Sequence, residues 1–269
     1  MAVASFQACH HGEVDRGGLQ ARADLNLTTT WREMGAAAGG TSGGGVDCPF
    51  LASGVPVAPF NAVFALSPVA DPDECIETAQ HFMAEIGVPF FLWIGPGVNE
   101  PLAEAARAAG FTDAGGPPAM VMTPLNPVPG APDDLRIDRV DDPERLDEFR
   151  FVMSAGFGLP LEVVEQLVPE AALHGSGLAY FLGSVAGGPV ACSTVSVADG
   201  TAGIYNVASV ETSRGRGFGT ALTWAAVGHG ADMGCDLAIL QSSQMGASVY
   251  SSMGFAEIGR YLQLASPAS

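Results

Sequence analysis

The sequence predicts an α+β protein with two tandem domains, each a mixed, mostly antiparallel sheet flanked by helices. A chain of 269 residues is long enough for two domains that each bury a core. A segment rich in proline, residues 126–134, lies between two regions with clear helix and strand patterns. We therefore expect an N-terminal domain over 1–125, a linker over 126–134 and a C-terminal domain over 135–269.

The two regions also share landmarks in the same order. Asn61 follows an aromatic residue, as Asn206 does, and each asparagine precedes a Gly-Phe pair that ends in Phe111 or Phe255. The separation from asparagine to phenylalanine is 50 residues in the first region and 49 in the second. This agreement predicts an internal duplication.

The elements of the second region follow from hydrophobic periodicity and turn residues. Alternation predicts strands, spacing of three and four predicts helices, and Gly-Gly-Pro at 187–189 predicts a hairpin turn. In chain order we expect a strand at 135–140, helices at 143–157 and 161–172, strands at 178–185, 190–197 and 202–210, a helix at 217–231, a strand at 237–240, a short helix at 246–252 and a strand at 255–264.

Composition excludes several classes of protein. Apolar residues make up 48% and charged residues 15%, a globular balance. All eleven basic residues are arginine and the net charge is −18, so we expect no nucleic-acid partner. The negative field would attract a cationic amine, although acidity also simply keeps a protein soluble.

Neither a targeting segment nor a metal site is predicted. The first ten residues lack a basic and apolar leader, and prolines interrupt the longest uncharged apolar stretch, 54–70, so we expect a cytoplasmic protein without a membrane partner. The five cysteines form no C-x-x-C pair, which favours free thiols over disulfides or zinc. The pair His10-His11 has no neighbouring ligand pattern, so no metal is expected.

One loop has the composition of a phosphate site. Glycine at 215, 217 and 219, between a predicted strand and helix, leaves backbone amides uncovered at a helix N-terminus, and Arg214 and Arg216 add charged donors. A P-loop would need a lysine, which the chain lacks, and G-x-G-x-x-G fails because Thr220 and Leu222 stand where its third glycine would be. A glycine-rich turn that only caps the helix is the alternative interpretation.

Two motifs together resemble the GNAT superfamily of N-acetyltransferases. The R-x-x-G-x-G pattern at Arg214, Gly217 and Gly219 is similar to the acetyl-CoA pyrophosphate loop, and 249–255, V-Y-S-S-M-G-F, is similar to the family's terminal element. The resemblance covers 135–264 and implies two tandem GNAT-like domains, acetyl-CoA as the acyl donor and no metal.

The resemblance also implies roles for individual residues. The backbone of one strand would pair with the pantetheine arm, and the loop would hold the pyrophosphate. Tyr250 would be the general acid that protonates the leaving thiolate, and Ser243, where many relatives have asparagine, would contact the cofactor or Tyr250. The expected cofactor-binding residues are therefore Val207, Ala208, Ser209, Val210, Arg214, Gly215, Arg216, Gly217, Phe218, Gly219, Thr220 and Ser243.

The first region lacks these features and is expected to be a degenerate copy. Asp71, Asp73 and Glu74 occupy the segment that corresponds to the loop, and Ala106 stands at the position of Tyr250. Negative side chains there would repel a pyrophosphate but suit the start of an ordinary helix. One acetyl-CoA per chain is the prediction.

The sequence leaves the acceptor and the base open. No carboxylate occurs in 202–207, so a water relay is expected to deprotonate the amine, while Glu162 and Glu165 either bind a cationic substrate or form a solvated face. The acceptor could be a small amine, an amino sugar or antibiotic, or an amine of a peptide, and the donor a longer acyl-CoA. The alternatives to an enzyme are a non-catalytic acyl-CoA-binding sensor or scaffold and a structural interaction protein.

Overall fold

The structure is a computed structural model that describes residues 15–45, 47–174 and 177–267. Cys9 and the pair His10-His11, considered above, lie outside the described residues. The helices are α1 (Arg16–Ala37), α2 (Pro72–Ile86), α3 (Glu100–Ala108), α4 (Pro143–Phe157), α5 (Leu161–Leu167), α6 (Phe218–Asp232) and α7 (Ala247–Met253). The strands are β1 (Thr41–Gly44), β2 (Pro49–Ala52), β3 (Asn61–Ala65), β4 (Phe91–Ile94), β5 (Thr112–Asp113), β6 (Pro118–Met122), β7 (Arg136–Arg139), β8 (Leu178–Val185), β9 (Gly188–Ala198), β10 (Thr201–Ser209), β11 (Leu237–Gln241), β12 (Ala256–Arg260) and β13 (Leu262–Ala265).

These strands form two sheets, which confirms the predicted α+β class. The first has the order β1-β2-β3-β4-β13-β5 and the second the order β12-β6-β11-β10-β9-β8-β7. Each sheet contains one parallel pair, β3 with β4 and β10 with β11, and its other pairs are antiparallel. The same arrangement in both sheets is what an internal duplication would produce.

Two strands are exchanged between the sheets. β6, which precedes the linker, pairs with β11 and β12 of the second sheet, and β13 pairs with β4 and β5 of the first. The strand predicted at 255–264 is therefore two strands, separated at Tyr261. Its amide donates to the Pro117 carbonyl at 3.1 Å, and its side chain is 1% exposed. The expected domains, 1–125 and 135–269, follow the chain, whereas the sheets cross that boundary twice.

Helix α1 also connects the two halves. The buried Asn26 donates from Nδ2 to the carbonyls of Ser196 and Thr201, at 3.2 and 3.1 Å, so this helix of the first half is hydrogen-bonded to the second sheet. Leu27 packs in the same cluster as Phe64 of the first sheet. Because both sheets contact α1, the two halves share buried surface.

The second sheet lies between α6 and α4. From α4, Phe149 packs with Tyr180, the ring centroids being 5.2 Å apart, while from α6 Trp224 and Val227 pack in a cluster with Ile204. Helix α4 has the predicted bounds. The helix predicted at 161–172 ends instead at Leu167, because Val168 precedes a proline and is thereby disfavoured from helical geometry; a 3-10 turn follows at Glu170–His174.

The cysteines within the described residues are free thiols. Cys192 and Cys235 are buried, whereas Cys48 and Cys75 are half-buried with their sulfur atoms 3.2 Å apart. Across the part of the chain that the structure describes, no group of three or more His, Cys, Asp or Glu side chains is arranged to hold a metal ion. None of the helices there is both long and apolar enough to cross a membrane.

Candidate active site

A cleft opens in the second sheet where two parallel strands diverge. β10 pairs with β11 only from Thr201 to Gly203, although β10 continues to Ser209. Beyond that point the register of β10 against β9 shifts between Tyr205 and Ala208, and Asn206 has a φ of 52°. Such a bulge bends a strand and increases its local twist. The β10 backbone beyond Gly203 is therefore unpaired on the side facing β11.

Both halves of the chain line this cleft, which has a volume of about 340 Å³. Its floor comes from the diverging strands and the α7 region: Ile204, Tyr205, Asn206, Val207, Leu240, Gln241, Ser243 and Tyr250. Its walls come mainly from α1, β1, β2, α4 and the segment around Phe60, and include Trp31, Met34, Leu51, Phe60, Met153, Phe157 and Leu167. Val207, Ser243 and Tyr250, predicted from the sequence, thus lie on one cavity.

The glycine loop lies at the end of β10 and leads directly into α6. Gly215 and Gly217 have φ values of 76° and 79°, the left-handed region in which side chains are strained, and a Cβ at either would point into open space. Residues 214–217 are exposed, and Phe218 is buried as the first residue of α6. The loop also adjoins the predicted strand residues, because a Cβ at Gly219 would lie 3.6 Å from the Ser209 Oγ.

The N-terminus of α6 is electrostatically suited to an anion. No side chain caps it and its first turn contains no acidic residue. The first amides of a helix have no intrahelical acceptor and bear the positive end of the helix dipole. The predicted loop residues Phe218, Gly219 and Thr220 therefore present unpaired amides beside the mouth of the strand cleft.

The two loop arginines border this site but contact protein groups. The Arg214 guanidinium donates to the Gly156 carbonyl at 3.0 Å. Arg216 pairs with Asp134 and lies over the ring of Phe218, 4.5 Å from its centroid. Both side chains are exposed, so they can reorient toward a phosphate at small cost.

Tyr250 is half-buried on α7, and its ring lies 6.0 Å from that of Phe255. Burial raises the pKa of Tyr250 above its usual value of 10, and the neighbouring Thr223 hydroxyl only partly offsets this. The phenol is therefore protonated throughout the neutral pH range, as a proton donor must be. Gly246 is close to the ring, since a Cβ there would lie 2.9 Å from Cε2 of Tyr250.

Ser243 has a structural partner as well as a place on the cleft. Its Oγ accepts a hydrogen bond from the Gly246 amide at 3.1 Å, in the turn that precedes α7. The serine thus helps to orient the helix that bears Tyr250. A hydroxyl can accept this bond and still donate one into the cleft.

Among the predicted strand residues, Val207 faces the cleft whereas Ala208 does not. Ala208 is buried against the cluster that includes Phe149 and Leu182, on the α4 side of the sheet. Ser209 adjoins the loop, and the Val210 amide donates to the Val190 carbonyl at 3.0 Å. Neighbouring residues of a strand point to opposite faces, so one strand serves both the cleft and the core.

The lining also contains a residue that the sequence did not single out. Gln241 ends β11, and its Nε2 is buried without a hydrogen-bond partner among the described residues. A buried donor without a partner is costly, and a ligand in the cleft would satisfy it. A polar residue directly after the apolar run 237–240 is the pattern that could have identified it.

No carboxylate lines the cleft among the described residues. Glu162 and Glu165 are exposed on α5 and do not line the cavity. The described lining therefore offers no carboxylate as a general base.

The first half has the same plan without the cleft. β3 and β4 stay paired from Ala62 to Ala65, with no shift of register. Asn61, the counterpart of Asn206, is buried and donates to the carbonyls of Val55 and Pro89, both at 2.9 Å. Asp71 caps α2 by accepting from the Glu74 amide at 3.1 Å.

The helix ends of the two halves share one hydrogen bond at equivalent positions. The Phe111 amide donates to the Ala106 carbonyl at 3.0 Å, and the Phe255 amide donates to the Tyr250 carbonyl at 3.0 Å. Ala106 thus occupies the place of Tyr250, as the spacing predicts.

Comparison with solved structures identifies this architecture. A GCN5-related N-acetyltransferase from Kribbella flavida superposes with a TM-score of 0.71 at 20% identity, over 93% of this chain and 96% of that one. The chain has the tandem GNAT fold. A functionally unknown conserved protein from Staphylococcus epidermidis matches with a TM-score of 0.65 at 14% identity, over 84% and 94% of the two chains. A tandem GNAT protein from the clavulanic acid biosynthesis pathway matches with a TM-score of 0.57 at 15% identity, over 85% of this chain and 82% of that one.

No protein-family profile matches the sequence, and no curated protein sequence is significantly similar to it. At these identities the structural matches establish the fold. The predicted resemblance to the GNAT superfamily is confirmed at that level.

Proposed function

We propose that this tandem GNAT protein transfers the acetyl group of acetyl-CoA to a primary amine. The observation that supports this most is the placement of the strand cleft directly beside the uncapped N-terminus of α6. An extended amide-containing chain with an anionic end, which is the form of acetyl-CoA, matches both parts at once. Unpaired β10 backbone would bind the pantetheine amides, and the α6 amides would bind the pyrophosphate.

Within this site the loop residues would act mainly through their backbone. Residues 214–220 expose amides without a side chain over Gly215 and Gly217, so phosphate oxygens can approach closely. Arg214 and Arg216 would exchange their present partners for phosphate oxygens, which accept charge-assisted hydrogen bonds from a guanidinium.

The transfer itself would be a direct attack of a neutral amine on the thioester. A C–N bond forms at the carbonyl carbon, the C–S bond breaks, and the amine loses a proton to water. Tyr250 protonates the departing thiolate and regains its proton from solvent. Since the described residues of the lining include no carboxylate, a water relay would take the place of a base.

The test is release of coenzyme A thiol from acetyl-CoA in the presence of a panel of primary amines. Release that depends on an amine, with formation of the corresponding amide by mass spectrometry, supports an acetyltransferase. Acetyl-CoA binding without release by any amine would instead indicate a non-catalytic acyl-CoA-binding protein. Absence of acetyl-CoA binding would refute the proposal.

A further inference from the structure

The cleft contrasts in charge with the rest of the molecule. The chain has a net charge of −18, yet Arg32 is the only charged residue that lines the cavity within the described part of the chain. An ammonium group that enters this cavity loses part of its hydration, and no carboxylate among the described lining residues can pair with it. The cleft therefore disfavours an acceptor with several positive charges.

Arg32 is itself available to a ligand. It is exposed near the end of α1, and it forms no ion pair with any described residue. Within the described residues, seven other arginines do form ion pairs: Arg22, Arg107, Arg136, Arg145, Arg150, Arg216 and Arg260. A guanidinium without a partner offers forked donors to a carboxylate.

The remaining walls favour an apolar body. Aromatic residues, among them Trp31 and Phe60, and the methionines Met34 and Met153 line the cavity. Flexible methionines and aromatic rings contact apolar groups of varied shape. The polar side chains of the lining include Gln241, whose Nε2 has no hydrogen-bond partner among the described residues.

From this combination we propose that the acceptor is an apolar amine that also bears a carboxylate, such as an amino acid with an aromatic or aliphatic side chain, and that Arg32 pairs with the carboxylate. This inference rests on the proposed function for the fate of the amine. The proposed pairing of Arg32 with a carboxylate can be tested by ligand binding alone, without turnover.

The experiment compares phenylalanine, phenylalanine amide and spermidine as acceptors and, by calorimetry, N-acetylphenylalanine as a ligand. The variants are Arg32→Gln and Arg139→Gln, the latter an exposed arginine outside the cleft that also forms no ion pair with described residues. We expect R32Q to lower kcat/KM for phenylalanine and the affinity for N-acetylphenylalanine by roughly tenfold, while phenylalanine amide is little affected. R139Q should match the parent.

The outcomes separate the two proposals. Binding of N-acetylphenylalanine that depends on Arg32, without any thiol release, would refute the acetyltransferase and support the ligand class. Turnover that favours spermidine, or equal effects of R32Q on phenylalanine and its amide, would overturn the ligand class while leaving the acetyltransferase in place. Failure of the apolar carboxylates both to bind and to react would also overturn it.

A separate observation concerns the Cys48–Cys75 pair. Cys48 lies between β1 and β2, Cys75 lies in the first turns of α2, and both are half-buried. With the sulfur atoms 3.2 Å apart, only a small movement separates the two thiols from a bond. The hydrogen bond from Cys48 lowers the pKa of Cys75, whereas that contact and burial raise the pKa of Cys48.

We infer that Cys48 and Cys75 form a reversible disulfide when the protein encounters hydrogen peroxide. The Cys75 thiolate attacks one peroxide oxygen and the O–O bond breaks, which gives a sulfenic acid and hydroxide. The hydroxide takes up the proton that the Cys75 thiol released on ionisation and becomes water. The Cys48 sulfur then attacks the sulfenic sulfur and releases a second water. Two thiols and one peroxide thus give one disulfide and two waters, and the bond ties the β1–β2 hairpin to α2.

Peroxide treatment of the full chain, followed by peptide mapping without reduction, tests this inference. We expect a peptide linked through Cys48 and Cys75, reversal by dithiothreitol, and no such peptide in Cys75→Ser. Cys192→Ser, which removes a buried thiol elsewhere, should behave as the parent. Independent oxidation of the two cysteines to sulfinic acids, or retention of both thiols, would refute it.

Discussion

Replacement of Tyr250 by phenylalanine separates chemistry from binding. Phenylalanine keeps the ring that packs 6.0 Å from Phe255, so the fold should be little affected. Loss of a general acid lowers a rate by roughly 10²–10⁴, which corresponds to about 3–5 kcal/mol of transition-state stabilisation. We therefore expect kcat to fall by that factor while acetyl-CoA affinity stays within about twofold.

The assay is thiol release under conditions in which acetyl transfer limits the rate, beside calorimetry of acetyl-CoA binding. Tyr180→Phe is the matched control, because Tyr180 is buried against Phe149 and does not line the cleft. Since burial raises the pKa of Tyr250 above its usual value, the phenol stays protonated and kcat in the parent should not fall across the neutral range through loss of this proton. An unchanged kcat in Y250F, with chemistry rate-limiting, would refute the acid role.

Three further predictions concern the loop and the contacts that join the halves. Gly217→Val should weaken acetyl-CoA binding at least tenfold, because a side chain would cover the loop amides. The control is Gly97→Val, which has a similar φ of 72° but lies outside the site and should leave the affinity unchanged. Equal affinity in the two variants would contradict the loop assignment. Gly203→Ala should destabilise the fold by about 1–3 kcal/mol, since its methyl would overlap Asn26 Oδ1, whereas Gly187→Ala faces open space and should be neutral in urea unfolding. Tyr261→Phe removes the donor to Asp24 at 2.6 Å and should cost about 1–3 kcal/mol at pH 7. Burial raises the pKa of Asp24 above 3.8, so the native state holds the carboxyl proton more tightly than the unfolded state does, and the free energy of unfolding declines as the pH rises from 3.8 through the folded-state pKa. The decline should steepen in Y261F, because the Tyr261 hydrogen bond lowers the pKa of Asp24. A loss of stability that does not depend on pH would contradict this.

The sequence predicted the second half closely because its signals are local. Helix α4 and strand β8 have their predicted bounds, since capping residues, turn residues and periodicity act over a few neighbours. The Gly-Phe ends were also predictable, because the same helix-ending hydrogen bond recurs at Phe111 and Phe255.

The sequence could not predict features that depend on distant contacts. At Tyr261, between β12 and β13, the phenol donates to Asp24, which is 237 positions away in the sequence. The apolar pattern continues through 255–264, so nothing local reveals that two sheets share it. The cleft walls were missed for the same reason, since Trp31 and Phe60 line the same cavity as Tyr250 only after the halves pack.

The most direct test of the account is the stoichiometry of acetyl-CoA binding to the full chain by isothermal titration calorimetry. The account places one cofactor site where β10 and β11 diverge and none in the first half, where β3 and β4 stay paired and Asp71 caps α2. It predicts one acetyl-CoA per chain, with that binding weakened in Gly217→Val. Two equivalent sites, or no binding, would contradict it.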